Sequence, residues 1–85
     1  MQNAPTRTIF DVITDFLATE PSPQEIIAYV LPDDLQARAD DLAIRNGEDQ
    51  LTIDEQEELQ DFINAEEMFS LLKTKMKLKL KRQAE

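Results

Sequence analysis

The feature that most limits the fold of this 85-residue chain is its last third, which contains no glycine and no proline after Thr52. Because these two residues are the usual helix breakers, the segment predicts one continuous helix of about 30 residues, roughly 45 Å long. A chain this short buries only about 60% of its unfolded surface. We therefore expect part of the helix to project from the body or to pack on another chain.

Two short helices are predicted in the first third of the chain. The first begins at Thr6 or Thr8, and apolar residues at helical spacing form its buried face: Ile9, Val12, Ile13, Phe16 and Leu17. The second begins at Ser22, where Pro23 suits the first helical position and Glu25 completes a capping box. Its apolar residues are expected to face inward: Ile26, Ile27, Val30 and Leu31.

A third short helix follows Pro32 and is predicted to stop at Asn46-Gly47, with a thin apolar stripe of Leu35, Ala39 and Leu42. The long fourth helix begins at a second capping box, from Thr52 to Glu55. Its main apolar seam is Phe62, Ala65, Phe69, Leu72, Met76 and Leu80, widened by Leu59, Ile63 and Leu71. The predicted fold class is all-α, a small helical bundle of three short helices packed on a long C-terminal helix.

Charge divides the chain into an acidic body and a basic end. Residues 1–72 hold 17 acidic and three basic side chains, a net charge of −14, whereas residues 73–85 hold six basic and one acidic, a net of +5. We predict three parts: a disordered N-terminal arm over 1–7, an acidic helical domain over 8–72, and a basic C-terminal extension of the last helix over 73–85.

Composition disfavours several classes of function. The total charge of −9 opposes generic binding to nucleic acid or to anionic lipid. No run of about 18 apolar residues is available to span a membrane, and the first residues lack the layout of a secretory signal, so we expect a cytoplasmic protein. The chain has no cysteine and no histidine, which removes disulfides and the commonest metal ligands.

Two acidic segments resemble metal sites and are interpreted as helix-capping chemistry. If Glu55 is placed at the last position of a calcium loop, the first position is Ile44 and the sixth is Asp49, where a carboxylate and a glycine are required. The acidic start of the fourth helix has no matching cluster on a second helix and no glycine-rich phosphate loop. We therefore predict no metal, no cofactor, no catalytic residue and no enzymatic activity.

The segment from Lys73 to Arg82 alternates lysine with apolar residues and fits two conformations. In a helix, Met76 and Leu80 continue the seam while Leu78 points away; in a strand these three share one face. A partner could select either form, in a groove or at a sheet edge. The predicted partner-binding residues are Phe69, Leu72, Lys73, Lys75, Met76, Lys77, Leu78, Lys79 and Leu80.

Three segments resemble a family of small uncharacterised bacterial all-helical proteins. They are residues 22–29 (SPQEIIAY), 35–38 (LQAR) and 51–59 (LTIDEQEEL), and family members share a T/S-P-E-E-I-L-A-F segment, a G-x-L-T-x-E-E-x-x-E-L segment and a Leu/Lys-rich end. The similarity covers residues 12 to 80, with Tyr29 and Val30 in place of the usual Phe and a polar residue. Genes of that family often lie beside genes for HNH-type nucleases or other toxin-like proteins, which implies an antitoxin-like or accessory role.

These observations predict a non-catalytic, protein-binding regulator or adaptor, antitoxin-like, that docks on a partner protein through its C-terminal helix. The partner implied by the resemblance is a nuclease or toxin. The alternative is a nucleic-acid-associated accessory protein that uses the lysine-rich end. We also expect a homodimer through the fourth helix, antiparallel because the acidic start would then meet the basic end of the second copy.

Overall fold

In the computed structural model, which describes residues 8–84, the chain forms four α-helices and no strand. They are α1 (Ile9–Ala18), α2 (Pro23–Ala28), α3 (Asp33–Gly47) and α4 (Ile53–Ala84). The three shorter helices pack on the long C-terminal helix, which confirms the all-α prediction. The predicted N-terminal arm, residues 1–7, lies outside the described residues.

Local capping explains where three of the helices begin. The Ser22 hydroxyl accepts from the Glu25 N–H at 3.2 Å, and the Glu25 carboxylate accepts from the Ser22 N–H at 2.9 Å. The same reciprocal pair joins Thr8 to Asp11 at the start of α1, and Thr52 to Glu55 at the start of α4. These bonds satisfy N–H groups that have no partner inside the helix. Both boxes predicted from the sequence are confirmed.

Two helices end in a left-handed residue that is not glycine. α3 includes Gly47, and the left-handed position falls on Asp49, with φ 57°. The N–H of Gln50 bonds the carbonyl of Arg45 at 2.9 Å and the N–H of Asp49 bonds that of Asn46 at 3.1 Å, a complete Schellman motif. The predicted stop at Asn46-Gly47 is confirmed, since α3 ends at Gly47, but the left-handed residue of the motif is Asp49 and not the glycine.

α1 ends in a modified form of the same motif. Glu20 takes the left-handed position with φ 56°, but Pro21 follows it and has no N–H to donate. The hydroxyl of Thr19 donates to the carbonyl of Phe16 at 2.6 Å instead. In a complete Schellman motif the N–H of residue 21 would donate to this carbonyl. Because Pro21 has no N–H, the Thr19 hydroxyl replaces that hydrogen bond.

One core joins all four helices. Its buried members are Ile9, Val12, Ile13, Ile26, Leu35, Ala39, Leu42, Phe62, Ala65 and Phe69. Val30 was predicted to face inward, but it is 78% exposed. The reason is that α2 ends at Ala28 and Tyr29 is extended, so Val30 no longer follows the helical face. Ile63 and Leu71 were predicted to widen the seam of α4, but both are exposed, because they lie outside the arc that the three short helices cover.

The long helix gives the molecule its elongated shape. Met76 is the last α4 side chain that packs against the core, eight residues before the helix ends at Ala84. The radius of gyration is 15.2 Å and the longest dimension is 52 Å, whereas a compact domain of this size has a radius of about 11.5 Å. No helix within residues 8–84 has the length and apolar content needed to cross a bilayer.

Candidate partner-binding surface

The inner face of α4 begins in the aromatic centre of the body. Phe69 is only 6% exposed, and its ring lies 5.2 Å from that of Tyr29 and 6.3 Å from that of Phe16. Phe16 and Tyr29 stack on each other with centroids 4.2 Å apart. Contacts between aromatic rings stabilise a fold by more than the burial of their apolar surface alone would give. Of the predicted partner-binding residues, Phe69 is therefore a core residue of this chain.

The next residues of the inner face connect the core to the helix end. Leu72 and Met76 are partly buried and pack against the core. Leu80 continues their face one turn further on and is partly buried, but it is not among the side chains that contact the core. We call residues 77–84 the distal segment. Its inner face, centred on Leu80, extends past the body.

Lys73 contacts the body rather than pointing into solvent. Its ammonium donates to the backbone carbonyl of Tyr29 at 2.7 Å and lies 5.7 Å from the centroid of the Phe69 ring. Tyr29 is the C-terminal cap of α2, so the lysine satisfies a carbonyl at the negative end of that helix. Lys73 thus helps to hold α2 on α4.

The other predicted residues are accessible and helical. Four of them are exposed: Lys75, Lys77, Leu78 and Lys79. The sequence is compatible with either a helix or a strand in this segment, and the structure shows a helix up to Ala84. Consequently Leu78 and Leu80 lie on nearly opposite sides of α4, since two residues correspond to about 200° around a helix. The predicted set is divided between two faces and does not form a single patch.

An ionic clamp between α3 and α4 was missed by the sequence analysis. Arg38 donates two bonds to Glu58, both at 2.8 Å, and Arg45 donates two to Glu55, at 3.0 and 2.7 Å. All four side chains are partly buried. The sequence contained a signal for these ion pairs. The two arginines lie two turns apart on one face of α3, and the two glutamates lie one turn apart on α4.

The clamp changes the acidity of its members. The hydrogen bonds from Arg45, followed by that from the Thr52 N–H, lower the pKa of Glu55 from 4.5 to about 2. The hydrogen bonds that Arg45 donates to Glu55 and Asp41 raise the pKa of Arg45, and those that Arg38 donates to Glu58 raise the pKa of Arg38. These shifts favour the ionised forms of Glu55, Arg38 and Arg45, and the clamp holds α3 against the start of α4.

An open cleft of about 270 Å³ lies where α1, the end of α2 and α4 meet. Ile13, Tyr29 and Phe69 are among its apolar lining residues, and Glu66 and Lys73 also line it. The cleft therefore offers apolar surface beside two opposite charges. Among residues 8–84, no three acidic side chains converge in a way that could hold a metal ion.

Comparison with known proteins gives no assignment: no family model, no curated protein and no solved structure matches this chain.

Proposed function

We propose that this protein is a non-catalytic regulator or adaptor, antitoxin-like, that binds another protein through the inner face of its distal segment. The observation that supports the proposal is the extension of α4 for eight residues beyond Met76, the last side chain that packs on the core. These last turns continue a long helix, but most helical stability in proteins comes from packing of an apolar face, which the core does not supply beyond Met76. A partner surface that covers the distal segment would stabilise its helical form.

The side chains of the distal segment indicate the kind of partner. Leu80 offers an apolar anchor, and Lys77 and Lys81, one turn before it and beside it, are exposed cations. A helix of this type fits an apolar groove with carboxylates at its rim. The family resemblance makes a nuclease or other toxin-like enzyme the first partner to test. We also propose a cytoplasmic location and a homodimer through α4.

Affinity capture from the native host, with the full chain as bait, tests the proposal. The test variant replaces the distal lysines by glutamine: Lys77→Gln, Lys79→Gln and Lys81→Gln. The matched control lowers the net charge equally at exposed positions elsewhere: Gln24→Glu, Gln50→Glu and Gln56→Glu. We expect a protein that the wild type and the control retain, and that the test variant loses by roughly tenfold or more.

Two outcomes would contradict the proposal. One is a partner that both triple variants retain equally, because the distal segment would then not be the docking element. The other is retention of nucleic acid alone, with binding that falls steeply as salt rises, which would favour the accessory function instead.

A further inference from the structure

A second row of side chains runs along α4 on the side away from the body. We call it the outer stripe; its members are Asn64, Met68, Leu71, Lys75 and Leu78, and every one is exposed. Met68 is 53% exposed and Leu71 is 57% exposed, values high for apolar side chains. The spacings of the stripe are 4, 3, 4 and 3 residues, which is the heptad spacing of helices that pair in coiled coils.

Beyond both ends of the outer stripe, charged residues continue the same spacing along α4. Toward the start of α4 the stripe meets Asp61 and Glu57, and toward the end it meets Arg82, all exposed. The charge of the whole helix is divided in the same way: residues 53–67 hold seven acidic and no basic side chains, and residues 68–84 hold six basic and no acidic. A parallel pair of such helices would place like charges together, whereas an antiparallel pair would place opposite charges together.

From this arrangement we infer that the outer stripe is the contact surface for a second copy of the chain, which binds antiparallel about a two-fold axis between Phe69 and Ser70. In that register Met68 of each copy packs on Leu71 of the other, at the centre of the contact. Glu57 of each copy meets Arg82 of the other at the two ends. A two-fold contact uses the same patch on both copies. Under this operation Met68 pairs with Leu71 and Asn64 pairs with Lys75, while Leu78 lies opposite Asp61.

The two polar members of the stripe support one register. Lys75 of one copy lies opposite Asn64 of the other, one turn from Asp61, so the ammonium meets an amide and a carboxylate rather than apolar side chains. Polar residues at seam positions fix the register and orientation of paired helices at a cost in stability. This inference rests on the proposed function, because both assign binding to α4. The second copy lies on the face of α4 opposite Leu80.

Sedimentation of the purified full chain, with no other protein present, tests the surface. We expect a dimer at low salt, and Leu71→Lys should raise the dissociation constant at least roughly tenfold. Ile44→Lys makes the same change at an exposed site on α3 and should leave the constant unchanged. Glu57→Lys and Arg82→Glu should each weaken the dimer, and the two changes together should restore it. A wild-type monomer, or equal effects of Leu71→Lys and Ile44→Lys, would overturn the inference.

Disulfide trapping tests the register, because the chain has no cysteine of its own. We expect a mixture of Met68→Cys chains and Leu71→Cys chains to form a mixed disulfide, and neither variant alone to cross-link. Cross-linking of Leu71→Cys alone would place residue 71 opposite its own copy, in a parallel pair or in a shifted antiparallel one, and cross-linking of Met68→Cys with Leu78→Cys would indicate another register. Either result would overturn the proposed pairing. Sedimentation and disulfide trapping use the chain alone, so a negative result in them does not affect the affinity-capture result. In the same way, a negative capture result does not affect the dimer inference.

Discussion

Lys73 stands where α4 leaves the body, and its side chain is used within the chain itself. The sequence suggests a solvated cation for a partner, yet the ammonium donates to the Tyr29 carbonyl at 2.7 Å and lies near the Phe69 ring. A carbonyl at a partly buried helix end is stabilised by such a donor, because it has no partner inside the helix. We therefore expect the contact to contribute to the stability of the fold.

Replacing this lysine should lower the free energy of unfolding. We expect Lys73→Ala to cost about 1 kcal/mol, because a charge-assisted hydrogen bond to a partly buried carbonyl is lost. Lys77→Ala removes the same side chain from an exposed site outside the outer stripe and should change stability by less than about 0.5 kcal/mol. Urea denaturation of both variants gives the comparison. Equal losses would show that the Tyr29 contact has no special role.

Glu20 shows the opposite effect, a residue that is strained where it stands. Its φ of 56° lies in the left-handed region, which costs a residue with a Cβ more than it costs glycine. We expect Glu20→Gly to raise the free energy of unfolding by about 0.5–1 kcal/mol. Glu48 has φ −103°, so Glu48→Gly should give no gain. Thermal denaturation distinguishes the two, and equal shifts of the melting temperature would refute the backbone explanation.

At the scale of helices, α3 is attached to α4 by the clamp as well as by the core. Because the folded pKa of Glu55 is lowered from 4.5 to about 2, its ionised form is favoured in the folded state. This contribution to stability is fully present above pH 4.5 and is lost as the pH falls toward 2. Arg38 and Arg45, both on α3, are the cations that face this carboxylate.

Removing the charge of Glu55 should flatten the acid limb of the stability curve. We expect Glu55→Gln to be less stable than wild type at neutral pH, and the difference to shrink as the pH falls from 4.5 toward 2. Glu66→Gln, at an exposed position on the same helix and outside the outer stripe, serves as the control. Chemical denaturation at several pH values measures this. A difference that stays constant down to pH 2 would contradict the assigned pKa.

The helices were predictable from the sequence where their signals are local. Ser22 and Thr52 each start a capping box within four residues, and both were confirmed. Contacts between distant residues were harder to predict. The clamp joins Arg38 to Glu58, 20 positions apart, and the exposure of Val30 depends on where α2 stops. Of the candidate site, the seam of α4 was predicted, but its division at Met76 depends on how far the three short helices reach.

For the whole molecule, the main fact is that a small acidic body covers only part of a long helix. The three short helices cover the inner face up to Met76, and the 52 Å length of the molecule follows from the remainder of α4. Two surfaces are thereby left: the inner face of the distal segment and the outer stripe. Both lie on one element, so their occupation would stabilise the same helix.

Hydrogen exchange of the dilute full chain tests most directly whether the body leaves the end of α4 uncovered. Amides buried under packed side chains exchange through large-scale unfolding, whereas uncovered turns open locally. We expect slow exchange from Phe62 to Met76 and an abrupt rise to fast exchange in residues 77–84, which slows when the concentration is raised or a partner is added. Uniform slow exchange along all of α4 in the dilute monomer would contradict this, because the body alone would then suffice to hold the whole helix.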